Sequence, residues 1–216
     1  MSVQAAAPQS GREAARRQLE AKLLPAVEDL LRERSIHEIG LDELLSRAGV
    51  AKSTFYYHFR HKVDLLIRLA GRVADDVLTG NGWWAAFPTS RSELGARIAV
   101  TFEAYRRHAL LISALLDASP SDAELRATVE GTFETASREV AAHIASGQKR
   151  GKVRTDVRAD AAATWIMSMM VWGLPRMVDP GAESDDVAVA AESLAVIIWQ
   201  ALYSGVTKPA GKKSAS

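Results

Sequence analysis

The chain has no cysteine, which excludes a disulfide framework, cysteine-ligated zinc or iron–sulfur sites and thiol catalysis. It has almost no net charge: 27 basic residues against 26 acidic ones leave +1 over 216 positions, so no global field marks it for nucleic acid or a membrane surface. Long apolar runs are missing too. The longest, residues 165–174, falls well short of the roughly 20 residues that cross a bilayer, and Ser168 interrupts it. Residues 1–9 carry neither a charged start nor an apolar core of signal-peptide length, so a soluble, cytoplasmic protein without membrane contact is expected. There is no G-x-S-x-G, no phosphate loop set between strand and helix, and no carboxylate pair that stands above the many helical acids. Neither an enzyme nor a cofactor site is expected.

What the chain does have is a succession of helix signals, with almost no strand alternation and no internal repeat; 48% hydrophobic residues suffice for a sizeable core. Leu41, Leu44, Leu45 and Ala48 recur at i, i+3, i+4 and i+7, so a short helix buries one face while Asp42, Glu43, Ser46 and Arg47 stay in water. Gly49 ends it, because a glycine accepts the left-handed conformation without a Cβ penalty, and Val50 can pack between two helices. A second helix starts at Lys52, Ser53 and Thr54. On it Phe55 and Phe59 face inward, four apart, and the other faces carry Ser53, Thr54, Tyr56, Tyr57 and His58. Such a surface is built to touch something polar, and the whole reads as a helix-turn-helix. Around it, Arg47, Lys52, Arg60, Lys62 and Arg68 stand against the single acid Asp64, a local basic excess that phosphates would feel within a Debye length of ~8 Å.

The run A-G-V-A-K-S-T-F-Y-Y-H-F-R-H-K at 48–62 resembles the recognition region of the tetracycline-repressor (TetR) family of transcriptional regulators, at Ala48, Gly49, Val50, Thr54, Phe55, Tyr56, Tyr57, His58, Phe59, Lys62 and Leu65. The resemblance is sharp over about residues 17–70. Two positions depart from the pattern: Gly40 stands where the family usually has a Ser or Thr cap, and Leu45 where helix-turn-helix proteins commonly have Ala, which leaves the tilt of the second helix open. Carried over position by position, the resemblance implies that Thr54 and Tyr57 face bases, that Tyr56 and His58 straddle base edges and phosphate, and that Lys52, Ser53 and Lys62 hold phosphates. Arg12, Arg16 and Arg17 form either a basic arm toward the minor groove or a solvated helix face. His58 and His61 form H-x-x-H, but no third ligand lies at helical spacing and no metal is expected.

The expected architecture is all-α with about nine helices: a flexible tail at 1–11, a three-helix helix-turn-helix DNA-binding domain at 12–61, a ligand-binding and dimerisation domain at 62–205 and a flexible tail at 206–216. Helix one is expected from Arg12 to Arg34, kinked at Pro25 or starting near it, and Ser119 or Ser121 is expected to cap the helix ending near Lys149. Residues 165–174 are apolar nearly all round, which a helix tolerates only when covered on more than one side, and the family resemblance makes a homodimer the natural cover. Trp165, Met169 and Trp172 share one helix face and, with Phe102, Tyr105, Phe133 and Trp199, either line a pocket for a small, mainly hydrophobic effector or are core. The resemblance thus implies a ligand-responsive regulator, a repressor that binds a palindromic operator in double-stranded DNA as a dimer and is released by that effector. The competing reading is a helical small-molecule binder or enzyme with a degenerate DNA-binding head.

Overall fold

The computed structural model describes residues 7–79, 82–178, 181 and 183–206. Among them there is no strand, and the helices run α1 (Ala7–Leu31), α2 (Leu41–Ala48), α3 (Lys52–His58), α4 (Lys62–Ala74), α5 (Arg91–Arg107), α6 (Ala109–Ala118), α7 (Ala123–Lys149), α8 (Ala159–Ser168), α9 (Leu174–Met177) and α10 (Ser184–Ile198). A π-helical turn, Met169–Gly173, joins α8 to α9 without a break, so these two form one long helix and the described residues hold nine. The all-α architecture expected from the sequence is therefore present. The expectations for residues 1–6 and 207–216 lie outside the described residues.

The chain divides into two compact units. One takes in the chain up to Val73 together with His108–Glu130; the other comprises Ala74–Arg107 and the chain from Gly131 onward. In the first, α1 packs on α2 and α6. Its buried side is Leu19, Leu23, Val27 and Leu30, at the spacing of one helix face. The helix begins at Ala7, five residues before the expected Arg12, and runs unbroken through Pro25. Pro25 is exposed and so is Ala21, whose carbonyl the proline ring deprives of a partner, so water can take that hydrogen bond.

In the second unit α5 and α10 pack face to face along their lengths. The contact passes at Gly95, where a Cβ would stand 3.6 Å from the Ala195 Cβ, an ordinary van der Waals distance. With its π-helical continuation, residues 184–203 are long and apolar enough to cross a bilayer by length and composition, with mean hydropathy 1.4. Instead the helix lays Val187, Ala191, Leu194, Ala195 and Ile198 into the core and pairs Glu192 with Arg91 at 3.1 Å.

The starts of α5 and α7 carry side-chain caps. Ser90 caps α5, its hydroxyl accepting the Glu93 N–H at 3.1 Å. Ser119 and Ser121 do not cap α7: they lie in a 3₁₀ turn, and Asp122 caps instead, accepting the Leu125 N–H at 2.9 Å. Proline at the second position of Ser119–Ser121 favours the tight turn, which moves the cap one residue on.

Candidate nucleic-acid interface

The turn between α2 and α3 is set by Gly49, at φ 63° and ψ 38°, whose N–H points back to the carbonyls of Leu45 and Ser46. Val50 closes the motif with its N–H on the Leu45 carbonyl at 2.9 Å. Gly40 caps α2 in extended conformation with no side-chain bond, and Leu45 is buried. On α3, Phe55 and Phe59 are both buried with ring centroids 5.2 Å apart, which pins one side of this short helix. The chain turns extended at Phe59, and α4 begins with a reciprocal cap: the Asp64 N–H donates to His61 Nδ1 at 3.2 Å, and the Asp64 carboxylate accepts the Arg60 N–H at 3.0 Å. His61 is thus occupied as a cap. No group of three metal-ligating side chains occurs among the described residues.

What α3 leaves outward is Lys52, Ser53, Thr54, Tyr56 and Tyr57, all exposed, with Tyr57 at 64%. Tyr57 stands edge-on to His58 at 4.9 Å, and Tyr56 edge-on to Phe55 at 5.4 Å, so both aromatics are braced from within the helix. His58 is half-buried, with Nδ1 inside and without a hydrogen-bond partner. Arg12 of α1 reaches the same face: its guanidinium donates to the Tyr57 carbonyl at 3.2 Å and stands 5.1 Å over the Tyr57 ring. That bond satisfies one of the last carbonyls of α3 and fixes the ring, a coupling between residues 45 apart that helix periodicity cannot reveal. Arg16 and Arg17 instead both pair with Glu13.

The basic excess counted along the chain is balanced in three dimensions. Arg47 pairs with Glu33 at 3.1 Å, Lys52 with Asp42 at 2.7 Å, Arg60 with Asp64 at 3.1 Å, and Arg68 with Glu13 and the buried Glu20 at 2.7 and 3.0 Å. The acids come mostly from α1 and α2, outside the counted window. The hydrogen bond with Asp42 raises the Lys52 ammonium above its usual range. Exposed pairs of this kind are screened by water and add little stability, so Lys52 can exchange Asp42 for a phosphate at small cost.

Lys62 requires a correction. The resemblance assigned it a phosphate, but its ammonium donates to the carbonyls of Ile36 and Ile39, both at 2.9 Å, and burial alone pushes its pKa down. It ties the connection between α1 and α2 to the start of α4. Two backbone carbonyls thus share the charge that the resemblance assigns to a phosphate.

The tryptophan pocket is also corrected. Trp165 is 73% exposed and Trp172 49%, on the outer side of a helix whose inner side buries Ala163, Ile166, Met167 and Met170. Phe102 and Tyr105 are buried in α5, while Met169, Phe133 and Trp199 are half-buried, Trp199 stacked on Tyr203 at 5.3 Å. Outward tryptophans and core aromatics cannot line one cavity. The π turn at Met169–Gly173, invisible to a period of 3.6, resets the helix phase between these side chains.

A different group does converge in the same unit. An open cleft of about 540 Å³ is lined by Trp84, Phe87, Glu139, His143, Arg150 and Lys152 among others. His143 is buried between Phe87, stacked at 4.4 Å, and Tyr203, whose hydroxyl lies 2.8 Å from Nε2. Burial pushes the imidazole down to about 4, outweighing the hydrogen bond to the Trp84 backbone, and burial pushes the Tyr203 phenol up. His143 is thus neutral near pH 7, with Tyr203 donating to it. Because its folded pKa lies below the unfolded value of 6.5, the folded state binds fewer protons than the unfolded chain between pH 6.5 and 4. Stability from this site is complete above that window and is lost as pH falls through it. Urea unfolding from pH 7 to 4 is expected to show a loss of about 2 kcal/mol, discounted for residual solvent screening, that His143→Gln removes.

Residues 23–69 match the family described as bacterial regulatory proteins, tetR family. Among curated proteins, the chain is 36% identical over 59 residues to the HTH-type transcriptional activator FasR of Mycolicibacterium smegmatis, a match spanning 27% of each protein. It is 29% identical over 150 residues to the transcriptional regulator AcuR of Cereibacter sphaeroides, covering 63% of this chain and 66% of that one. Among solved structures, a TetR-family transcriptional regulator from Syntrophomonas wolfei aligns over 85% of this chain and 95% of its own at 17% identity, with a TM-score of 0.68. A transcriptional regulator from Saccharomonospora viridis, solved in complex with choline, aligns over 87% of this chain and 98% of its own at 21% identity, with a TM-score of 0.65. Residues 23–69 thus carry the helix-turn-helix module described for the tetR family of bacterial regulatory proteins, and the chain shares the helical fold of solved regulators along most of its length.

Proposed function

We propose that the protein is a DNA-binding transcriptional repressor that acts as a cytoplasmic homodimer on a palindromic operator and is released by a small effector bound in its second unit. The observation that carries the reading is α3 itself: its apolar side is consumed by Phe55 and Phe59, and hydroxyl-bearing Ser53, Thr54, Tyr56 and Tyr57 stand in solvent. Hydroxyls and ring edges on a helix after a tight turn suit the major groove, where base edges offer donors, acceptors and the thymine methyl. Thr54 and Tyr57 read bases, Tyr56 and His58 reach base edges and phosphate, and Lys52 and Ser53 hold phosphate, with Arg12 steadying Tyr57.

The dimer rests on a second observation. Trp165, Trp172, Met177, Val189, Val196 and Ile197 are large apolar side chains left exposed on α8, α9 and α10 and the π turn between the first two. A twin helix pair is the cover that a closed two-fold assembly supplies. The effector acts by binding more tightly to the conformer whose two heads are wrongly spaced for DNA, and it shifts the equilibrium only by that difference.

The test is a footprint and gel shift on DNA flanking the coding region, with Tyr57→Ala and Lys52→Ala as probes. Tyr57→Ala is expected to cut discrimination between operator and random DNA about tenfold. Lys52→Ala is expected to weaken binding to all sequences and to lower the salt slope by about one unit. Unchanged binding in both variants would remove α3 as the reading element.

A further inference from the structure

We propose that the cleft beside the C-terminal end of α7 is an anion-binding effector site that takes a small organic carboxylate, its apolar body along Trp84, Ala85 and Ala86 and its charge held by Arg150 and Lys152. The cleft, of about 540 Å³, is of a size for a small molecule. Arg150 and Lys152 flank Gly151, which at φ 63° turns the chain sharply and returns both side chains over one aromatic ring. The Arg150 guanidinium carbon lies 5.8 Å and the Lys152 Nζ 5.2 Å from the Phe87 centroid.

Among the described residues neither cation has an acidic partner. The arginines around them do: Arg97 pairs with Glu93, Arg154 with Asp156 and Arg158 with Asp160. Nor are the two cations needed as helix caps. The carbonyls of Ser146 and Gly147 at the end of α7 already accept the backbone N–H groups of Arg150, Lys152 and Val153. Glu139, the one acid in the lining, is held by the Trp84 indole N–H at 3.1 Å, which orients the wall rather than neutralising the cations. The floor is closely packed: a Cβ on Gly147 would collide with the Phe87 ring and the Val153 side chain, and the Arg97 guanidinium donates to the Ala86 carbonyl at 2.9 Å. Two unpartnered cations over a fixed aromatic platform beside an apolar wall suit a carboxylate attached to a flat apolar body, and a free inorganic anion would leave the wall unused.

As an effector site the cleft rests on the regulator reading above, so binding and operator release are measured separately. Calorimetry on the full chain uses 1-naphthoate, its neutral counterpart 1-naphthamide, and inorganic phosphate as probes, against wild type and the exposed double variant Arg150→Gln/Lys152→Gln. Saturable naphthoate binding is expected, with naphthamide and phosphate each at least about tenfold weaker and the double variant losing about tenfold for naphthoate alone. Absence of saturable naphthoate binding, equal binding of naphthamide or phosphate, or an unaffected double variant overturns the site. Naphthoate bound without operator release in the gel shift overturns its effector role. Failure of the probe-free protein to bind any operator counts against the regulator reading, while naphthoate binding measured by calorimetry still supports the cleft as a carboxylate site.

Discussion

Replacing Trp165 by Glu is expected to yield a folded monomer whose operator affinity is reduced at least about 100-fold, because the two heads no longer engage DNA as one unit. Trp165 is 73% exposed, so the isolated chain loses little packing when it changes. In a dimer the same side chain is covered. At ~25 cal/mol per Å² and an indole surface of ~150–250 Å², covering Trp165 and the half-exposed Trp172 contributes on the order of 5 kcal/mol per protomer, and a buried carboxylate without a partner opposes it. Size-exclusion chromatography with light scattering reads the state, and circular dichroism verifies the fold. A wild-type monomer, or a variant that still dimerises, would move the dimer contact away from this face.

Lys62→Met is expected to cost about 2–3 kcal/mol of stability while leaving the salt dependence of DNA binding unchanged. Met keeps the apolar stem and removes only the ammonium, so the carbonyls of Ile36 and Ile39 lose a shared charged donor. These carbonyls sit in the connection that delivers α2 to its place, and the loss is felt as a loosened reading head. Lys52→Met separates this role from phosphate contact: its pair with Asp42 is exposed, so stability should hold while the salt slope falls by about one unit. Urea unfolding and gel shifts over a salt series decide. A Lys62→Met protein of native stability with a reduced slope would return Lys62 to the phosphates.

The contrast between these two lysines marks the limit of what the chain alone reveals. Local order was legible. The four-residue spacing of Phe55 and Phe59 and the glycine at 49 act within one or two turns, and both stand where the pattern places them. The exposed hydroxyl face of α3 follows from the same periodicity. The cap expected at Ser119 or Ser121 failed because both serines lie in a 3₁₀ turn and Asp122, just after it, takes the role.

Charge and aromatic placement were not legible, since both depend on what arrives from elsewhere. The basic excess from Arg47 to Arg68 is offset by Glu13, Glu20, Glu33 and Asp42, brought in by α1, the turn after it and α2, and the Lys62 ammonium is held by carbonyls 23 and 26 residues away. The outward turn of Trp165 and Trp172 belongs to a helix with a π turn in it, which a uniform period cannot anticipate. His143 carries no local sequence signal that singles it out. Its contact with Tyr203, 60 residues on, and its place beside Phe87, Arg150 and Lys152 appear only when α7, α10 and the loop before α5 meet.

By itself, then, the sequence determined the helices, the turn at Gly49 and the hydroxyl-bearing face of α3, because helix periodicity and capping act between near neighbours. The tertiary structure alone decided which lysine is held by backbone carbonyls, which tryptophans face out, and where two cations without an acidic partner border a cleft. Hydrogen bonds and ion pairs form at about 3 Å between groups whose separation along the chain carries no signal.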